Sequence, residues 1–347
     1  MTHNMFQILL YYKYTHINNP AELVTTQREL CERLNLKGRI IIAEEGINGT
    51  VEGLVDDTEK YIQATRLDLR FADIDFKKSV GTGEAFPRLS IKARKEIVSG
   101  HLGDADINPT QITGKYIKAE ELHSWIHGSN KTVCNNCFTN PPSQGGDVGG
   151  VGGLHHSTTN EPTTNTPRVP PCEGGIEECL ISREPKEFYI VDMRNDYEHK
   201  IGFFQNSILP PLKNFRNLSQ ILPILEPLKN KTVVTVCTGG VRCEKASGFL
   251  LQNGFNDVYQ LENGIVTYME KYPEEDFKGK LYVFDGRVTM AFNSPATPHE
   301  IVGRCDKCNA SSENYVNCNL KSCNAHFICC EQCYESNGRV FCGTECV

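Results

Sequence analysis

The chain has 347 residues, of which 39% are hydrophobic and 23% are charged, and its formal net charge is −7. These values predict a soluble protein of two or three domains. The sequence has neither an apolar run of the roughly 18 residues that a membrane helix needs nor a secretory leader pattern, so we expect no membrane partner. The acidic balance excludes a protein that is basic throughout, and any nucleic-acid contact must therefore come from a local patch.

The first region, residues 1–105, predicts a ferredoxin-like α+β sandwich. Asn19, Pro20 and Glu22 form a typical helix start, and Gly38 ends that helix. The β-α-β-β-α-β order comes from strands at 6–14, 40–43, 50–51 and 72–76, helices at 19–38 and 55–67, and a turn at 46–49. Such a scaffold does not define a function by itself.

Basic residues are concentrated at the end of this region: Lys77, Lys78, Arg88, Lys92, Arg94 and Lys95. If residues 88–94 form a strand, Arg88, Lys92 and Arg94 share one face, because side chains alternate along a strand. Two interpretations are equally consistent with this stripe. It is either an ordinary solvated face or a contact for the phosphate backbone of a nucleic acid.

A second region, residues 112–275, begins with an amphipathic helix through Leu122, Trp125 and Ile126. It is interrupted over 129–185 by a segment rich in glycine, threonine, asparagine and proline, which predicts a disordered insert. The spacing of four cysteines in the insert favours free thiols over a zinc site. They are Cys134, Cys137, Cys172 and Cys179.

A strand over 188–191 ends at Asp192, and Arg194 follows closely. We expect the Asp192 carboxylate to hold a neighbouring loop by accepting its N–H groups. Arg194 is expected to pair with Glu198 or with an incoming anion.

The most informative stretch is a β-branched strand over 232–236 that stops at Cys237. The loop after it consists of Thr238, Gly239, Gly240, Val241 and Arg242, and a helical pattern over 242–253 follows. Inward-facing amides, a helix N-terminus and the Arg242 cation would all favour a thiolate at Cys237, which is predicted to be a nucleophile of lowered pKa.

The alternative for Cys237 is a buried core cysteine before a tight turn. A thiol walled off by packed side chains, with Arg242 directed elsewhere, would favour that alternative. Cys243 is either a resolving thiol or a plain helix residue, and the second interpretation is favoured.

The last region, residues 276–347, starts with a predicted hairpin around Asp285 and Gly286. Its short cysteine spacings predict structural zinc, because a tight turn can direct two thiolates at one ion. Ten candidate ligands would fill two sites of four and leave two spare, with the pairing open. They are Cys305, Cys308, Cys318, Cys323, Cys329, Cys330, Cys333, Cys342, Cys346 and His326. Metal-ligand spacing and a lone reactive thiol favour a reducing cytosol over a secreted disulfide framework.

The loop from Cys237 to Arg242, together with Asp192 and Arg194, resembles the rhodanese fold, in which such a loop holds a cysteine persulfide. Related phosphatases have a loop that is one residue longer. Several motifs, taken in order, are similar to the tRNA uridine hydroxylase family. They are AEEGING at 43–49, VDMRNDYE at 191–198, CTGGVRCEKAS at 237–247, VFDGRV at 283–288 and RCDKC at 304–308.

This resemblance implies an α/β protein with a ferredoxin-like domain, a rhodanese-like domain with a parallel sheet and a cysteine-rich tail. It also implies oxygen-dependent 5-hydroxylation of the wobble uridine, position 34 of tRNA, in the cytoplasm, with Cys237 as the essential cysteine. Molecular oxygen would be the co-substrate, and the sequence predicts no further cofactor for catalysis. The insert and Asn263, which precedes Gly264 where the family has two glycines, are departures.

Two other functions remain open at this point. A thiosulfate or persulfide sulfurtransferase needs only the cysteine loop and Arg242, and has no use for a nucleic-acid face. A zinc-stabilised interaction module would need only the tail.

Overall fold

The structure is a computed structural model, and it describes residues 5–103, 106–128, 187–292, 299–320, 322–323, 325–337 and 340–343. The predicted insert, its four cysteines and Cys346 lie outside these residues. Among the described helices, none has the length and apolar character needed to cross a membrane.

The N-terminal region forms a five-stranded sheet in the order β4-β1-β3-β2-β5. Its first four strands have the ferredoxin-like order that the sequence predicted, and β5 adds to the edge parallel to β2. The elements are β1 (Phe6–Tyr14), α1 (Pro20–Arg33), β2 (Lys37–Ala43), β3 (Gly46–Leu54), α2 (Val55–Arg66), β4 (Phe76–Gly81) and β5 (Leu89–Ala93).

Two predicted boundaries in this sheet are wrong. Residues 46–49 are not a turn but the start of β3, and the turn lies at Glu44 and Glu45. The glycines serve close packing instead, since a Cβ on Gly46 would lie 2.0 Å from the Lys13 carbonyl oxygen. The predicted strand at 72–76 begins only at Phe76, after a short 3-10 turn over Leu69–Phe71.

One face of the sheet forms the core of this region with the two helices. The N-terminus of α1 is capped by Asn19, whose side chain accepts from the Glu22 N–H at 3.2 Å, and Leu23, Gln27 and Cys31 are buried on its inner side. Alternate residues of the strands, among them Leu9, Tyr11, Ile40, Ile42, Ile47 and Val51, complete this core.

The opposite face of the sheet, here called the open face, carries no helix of its own region. Strand register places its side chains in rows that cross the sheet, because directly paired residues point to the same side. One row runs from Leu10 through Thr50 and Arg39 to Ser90, and the next from Tyr12 through Asn48 and Ile41 to Lys92. The open face therefore connects β1 directly with the basic strand β5.

The second region contains a four-stranded parallel sheet in the order β6-β10-β9-β7. Its apolar strands are buried on both faces, as the β-branched run over 232–236 predicted. The elements are β6 (Lys115–Ile117), α3 (Ala119–Gly128), β7 (Phe188–Asp192), α4 (Asp196–His199), β8 (Gly202–Phe204), α5 (Leu222–Leu225), β9 (Thr232–Val236), α6 (Val241–Gln252), β10 (Asp257–Leu261) and α7 (Gly264–Lys271).

Helix α6 links the two sheets through a buried lysine. The Lys245 side chain has no exposed surface, and its Nζ lies 2.9 Å from Glu45, 3.0 Å from Glu96 and 3.2 Å from Asp106. A lysine ammonium group that is shielded from water needs carboxylate partners, because an unpaired buried charge strongly destabilises the folded state. Lys245 therefore fixes α6 against the N-terminal region.

The C-terminal region consists of short elements: β11 (Phe277–Gly279), β12 (Leu281–Tyr282), β13 (Thr289–Met290), β14 (Tyr315–Asn317), β15 (His326–Ile328) and α8 (Glu331–Asn337). The predicted hairpin is present, since β12 pairs with β13 in antiparallel fashion. Cysteines make up much of the small core behind β14 and β15, together with Phe327 and Val340.

Candidate active site

Cys237 lies at the carboxyl end of β9, and α6 begins at Val241. Gly240 has a φ of +100°, and a Cβ there would lie 2.8 Å from the Tyr12 hydroxyl, so conformation and space both require glycine. Gly239 is not among the glycines with a positive φ. It instead lies against Leu10, which a Cβ would approach to 3.0 Å.

The N-terminus of α7 holds the cysteine loop through two backbone hydrogen bonds. The N–H of Ile265 donates to the Cys237 carbonyl at 2.9 Å, and that of Val266 donates to the Thr238 carbonyl at 3.1 Å. A Cβ on Gly264 would lie 2.7 Å from the Cys237 carbonyl oxygen. Asn263 precedes it with a φ of +62°, a conformation that asparagine tolerates, so this departure from the family pattern is compatible with the turn.

The surroundings of Cys237 favour a thiolate. Burial on its own would raise the pKa of Cys237, but three effects oppose it: a hydrogen bond from the Cys243 thiol, the positive charge of Arg242, and backbone N–H donors from Cys243 and Arg242. Together they lower the pKa of Cys237 to about 6.

Cys243 is the proton donor of this pair. Its burial, together with its hydrogen bond to Cys237, raises the pKa of Cys243 well above the ordinary thiol value. It therefore remains a neutral thiol that stabilises the neighbouring anion, a role that the sequence did not suggest.

Arg242 is oriented by a buried ion pair with Glu198. The guanidinium Nη1 contacts Glu198 Oε2, Nη2 lies 2.9 Å from Oε1, and Nη2 also donates to the Thr238 hydroxyl at 3.2 Å. Although burial lowers the pKa of Arg242, the charge of Glu198 raises it by more, so the guanidinium stays cationic. The cation thus remains close enough to Cys237 to lower the pKa of the thiol.

The expected role of Arg194 is wrong. Arg194 and Asp192 are both fully buried and pair with each other through Nε at 3.0 Å and Nη2 at 2.6 Å, so Arg194 reaches neither Glu198 nor an external anion. The sequence offered a signal for Glu198 that was not used, because Asn195 and Glu198 have capping-box spacing. The Asn195 N–H donates to Glu198 Oε2 at 2.8 Å.

A cavity of about 270 Å³ lies between the cysteine loop and the open face. Thr238, Gly239, Val241 and Arg242 contribute one wall. Leu10, Tyr12, Arg39, Ile41, Asn48 and Thr50 of the open face line another part, and Phe86, Phe215 and Phe284 add aromatic surface. Its volume is slightly below the roughly 300–1,000 Å³ typical of small-molecule pockets.

Cys237 does not line this cavity, and its exposed fraction is 0%. The alternative interpretation of Cys237 as a buried core cysteine is correct about burial, because the thiol has no exposed surface. It is wrong about Arg242, whose charge lowers the pKa of the thiol. Chemistry at this sulfur requires the loop to open towards the cavity that its neighbours line.

The basic residues Arg88, Lys92 and Arg94 are exposed and line a groove of about 430 Å³ together with Arg39. No described acidic residue forms an ion pair with these three side chains. The groove and the cavity share Arg39, Ile41 and Phe86. Sequence reasoning missed Arg39, although alternation along β2 between Arg39 outside and Ile40 and Ile42 inside could have identified it.

The tail brings cysteines together in two groups that could hold a metal ion. Cys305, Cys308, Cys330 and Cys333 form one group, and Cys318, Cys323 and Cys342 form the other. Two predicted ligands lie outside both groups. The Cys329 thiol is directed at the Cys330 carbonyl at 3.6 Å, and His326 Nδ1 lies 2.9 Å from the Tyr282 hydroxyl.

The parallel sheet, the strand-end cysteine and the glycine loop define a rhodanese-type protein with an added N-terminal sandwich. Family models agree: a UPF0176 acylphosphatase like domain matches residues 6–97, a rhodanese-like domain 178–271, and a rhodanase C-terminal model 278–347.

Among curated proteins, the tRNA uridine(34) hydroxylase of Bacillus cytotoxicus is 37% identical over 331 residues, which cover 94% of this chain and 83% of that protein. That of Cytophaga hutchinsonii is 35% identical over 341 residues, which cover 98% and 89%. The chain belongs to the tRNA uridine(34) hydroxylase family, which confirms the resemblance found in the sequence.

We predict that the thiolate absorbance of Cys237, taken as the difference between wild type and Cys237→Ala, rises with pH through a midpoint near 6. Cys243→Ala removes the donor and should move this midpoint to higher pH. Cys31→Ala is the matched control, because burial raises the pKa of Cys31 to about 12 and no step is expected near neutrality. A midpoint above 8 in the wild type would contradict the assignment.

Proposed function

We propose that this protein hydroxylates C5 of uridine 34 in tRNA, with molecular oxygen as the oxygen source and Cys237 as the reacting group. The observation that carries the proposal is the continuity of one surface. The loop of the low-pKa cysteine borders a cavity, and that cavity shares Arg39, Ile41 and Phe86 with an adjacent basic groove. The relatives, which are named for tRNA uridine(34), support this assignment.

The cavity offers the contacts that a flipped pyrimidine base needs. Phe284 lines it with 46% of its surface exposed, and an exposed aromatic ring is a stacking platform for an unpaired base. The Arg242 guanidinium lies 5.7 Å from the centre of that ring.

The groove supports a phosphate contact. Contacts from Arg88, Lys92 and Arg94 to phosphates would not distinguish one base from another. Cations along a groove do, however, position a polynucleotide backbone. The groove and the cavity lie next to each other on the open face, which contributes residues to both. A tRNA loop lying in the groove could therefore place a single base against the cysteine loop.

The assigned role of Cys237 is that of a nucleophile. Its thiolate can add to the electron-poor C6 of uracil, which forms a C–S bond and moves an electron pair towards C5. Insertion of one oxygen atom of O₂ at C5 also forms one water, and a thiol reductant supplies the two electrons and two protons that balance this step. Loss of the thiolate from C6 then restores the ring.

We include three further assignments in the proposal. The domains are residues 1–105, 112–275 and 276–347, which contain the first sheet, the parallel sheet and the cysteine groups respectively. The reaction takes place in the cytoplasm, a reducing compartment that keeps thiols free. The ion held by each cysteine group is zinc, because the first group offers four thiol ligands and the second offers three, and zinc prefers sets rich in cysteine.

Cys237→Ser should abolish 5-hydroxyuridine in tRNA, because the hydroxyl of serine is not ionised near neutral pH. The measurement is mass spectrometry of tRNA nucleosides from a deletion strain complemented with each variant, with Cys31→Ser as the control that retains activity. Normal hydroxylation by Cys237→Ser would refute the catalytic role. Sulfur transfer to cyanide without tRNA binding would instead select the sulfurtransferase function.

Lys92→Ala combined with Arg94→Ala should weaken tRNA binding and lower the slope of log affinity against log salt by about 2 if each side chain contacts one phosphate. Filter binding over a series of salt concentrations measures both quantities. Lys60→Ala is the control, since Lys60 is exposed on α2, away from the open face. An unchanged salt slope in the double variant would show that the stripe is only a solvated strand face.

Adjacent cysteines provide a sharp test of the zinc assignment. Cys330→Ser should lose one equivalent of zinc per chain and lower the melting temperature, because it removes one of four thiolate ligands. Cys329→Ser should retain the metal of the wild type, since its thiol is outside both groups. Metal content per chain is measured after gel filtration, and equal content in the two variants would contradict the assignment.

A further inference from the structure

Two histidines and two carboxylates form a cluster apart from both the cysteine loop and the tail. His123 and His127 lie one turn apart on α3, and Glu275 and Asp276 directly precede β11. His123 Nδ1 is 3.2 Å from Asp276 Oδ2, and His123 Nε2 is 3.5 Å from Glu275 Oε2. His127 Nε2 is 3.3 Å from Asp276 and 4.0 Å from Glu275.

The spacing of these atoms is close to that of a tetrahedral metal site. Metal-to-ligand distances of about 2.0–2.2 Å place neighbouring donors about 3.3–3.6 Å apart. One donor atom from each of the four side chains lies within 4.8 Å of all the others. Small side-chain rotations would therefore complete a coordination shell.

The supporting residues hold the ligands in place. Asp276 is only 8% exposed, and its Oδ2 accepts a hydrogen bond from the buried hydroxyl of Tyr268. The His123 ring is stacked on Tyr272, with 3.9 Å between ring centres and an angle of 8° between planes. Such partners orient metal ligands and fix their rotamers before an ion binds.

We propose that His123, His127, Glu275 and Asp276 bind a divalent transition-metal ion, with zinc as the favoured ion. Two imidazoles disfavour magnesium and calcium, which prefer oxygen ligands, whereas a mixed nitrogen and oxygen set suits zinc, cobalt and nickel. Four protein ligands close the shell, so the site is structural. Ser124 stands where the zinc-protease motif has its catalytic glutamate, which excludes that chemistry.

A metal here would act on the cysteine loop through α7. The cluster joins α3 to the segment that follows the C-terminus of α7, while the N-terminus of α7 donates Ile265 N–H to the Cys237 carbonyl. An ion at the cluster would therefore hold the helix that supports the loop. The site ties together parts of the chain that lie about 150 residues apart, a range over which a cross-link is effective.

The test uses the full-length protein loaded with zinc and desalted, with metal counted per chain by mass spectrometry. The double variant H123Q/H127Q should hold one equivalent less than wild type. The control H16Q, which changes an exposed histidine outside the cluster, should hold the same amount as wild type. Both cysteine groups are intact in every variant, so their zinc cancels in the comparison. Equal metal content in wild type and the double variant would overturn the proposal.

A second measurement is independent of how well the double variant folds. Wild-type protein is treated with a chelator that removes zinc from nitrogen and oxygen ligands but leaves thiolate-bound zinc, and Co²⁺ is then added. The proposal expects visible bands of tetrahedral Co²⁺ without thiolate charge-transfer bands, and their loss in Asp276→Asn. Absence of bound Co²⁺, or a spectrum with thiolate bands alone, would mean that the cluster is only a network of imidazole and carboxylate groups.

Discussion

The buried ion pair between Glu198 and Arg242 is the interaction on which the cysteine site depends. Removing one partner of such a pair typically costs about 3–5 kcal/mol, because the other charge is left in a medium that does not solvate it. Glu198 is held in turn by the Asn195 N–H, and Arg242 holds Thr238. The end of β7, helix α4 and the cysteine loop are thereby one unit. The ion pair holds the guanidinium near Cys237 in this closed arrangement of the loop, where its charge lowers the pKa of the thiol.

The N-terminal sandwich contributes a surface rather than a chemical group. Its open face carries Leu10 and Tyr12 against the two loop glycines at one side and Lys92 in the basic groove at the other. A side chain at Gly239 or Gly240 would collide with that face. The glycines that shape the loop therefore also allow the sheet to approach it, and this contact forms the cavity between the cysteine loop and the open face, next to the basic groove.

The chain gathers side chains that could bind a metal ion in two chemically different ways. The tail brings Cys305 and Cys308 next to Cys330 and Cys333, and the pairing of β14 with β15 helps cysteines distant in sequence to meet around one point. The histidine cluster instead uses one helical turn of α3 and two consecutive acids on a separate segment.

The sequence by itself determined the local elements and the family. The β-branched run before Cys237, the glycine loop, the helix after it and the ferredoxin-like order are set by propensity and periodicity, which act over a few residues. Cysteine spacing predicted metal ligands, and the ordered motifs identified the hydroxylase family.

Only the tertiary structure decided which side chains contact each other. The packing of distant segments decides three features of the sites. Arg194 pairs with Asp192 and not with Glu198. Cys330 and not Cys329 joins a cysteine group, and Arg39 extends the basic stripe. The burial of the Cys237 thiol is also decided by the tertiary structure, because burial depends on all the segments that surround a residue. Contacts between residues far apart in sequence leave no periodic signal, so the pattern of one chain cannot specify them.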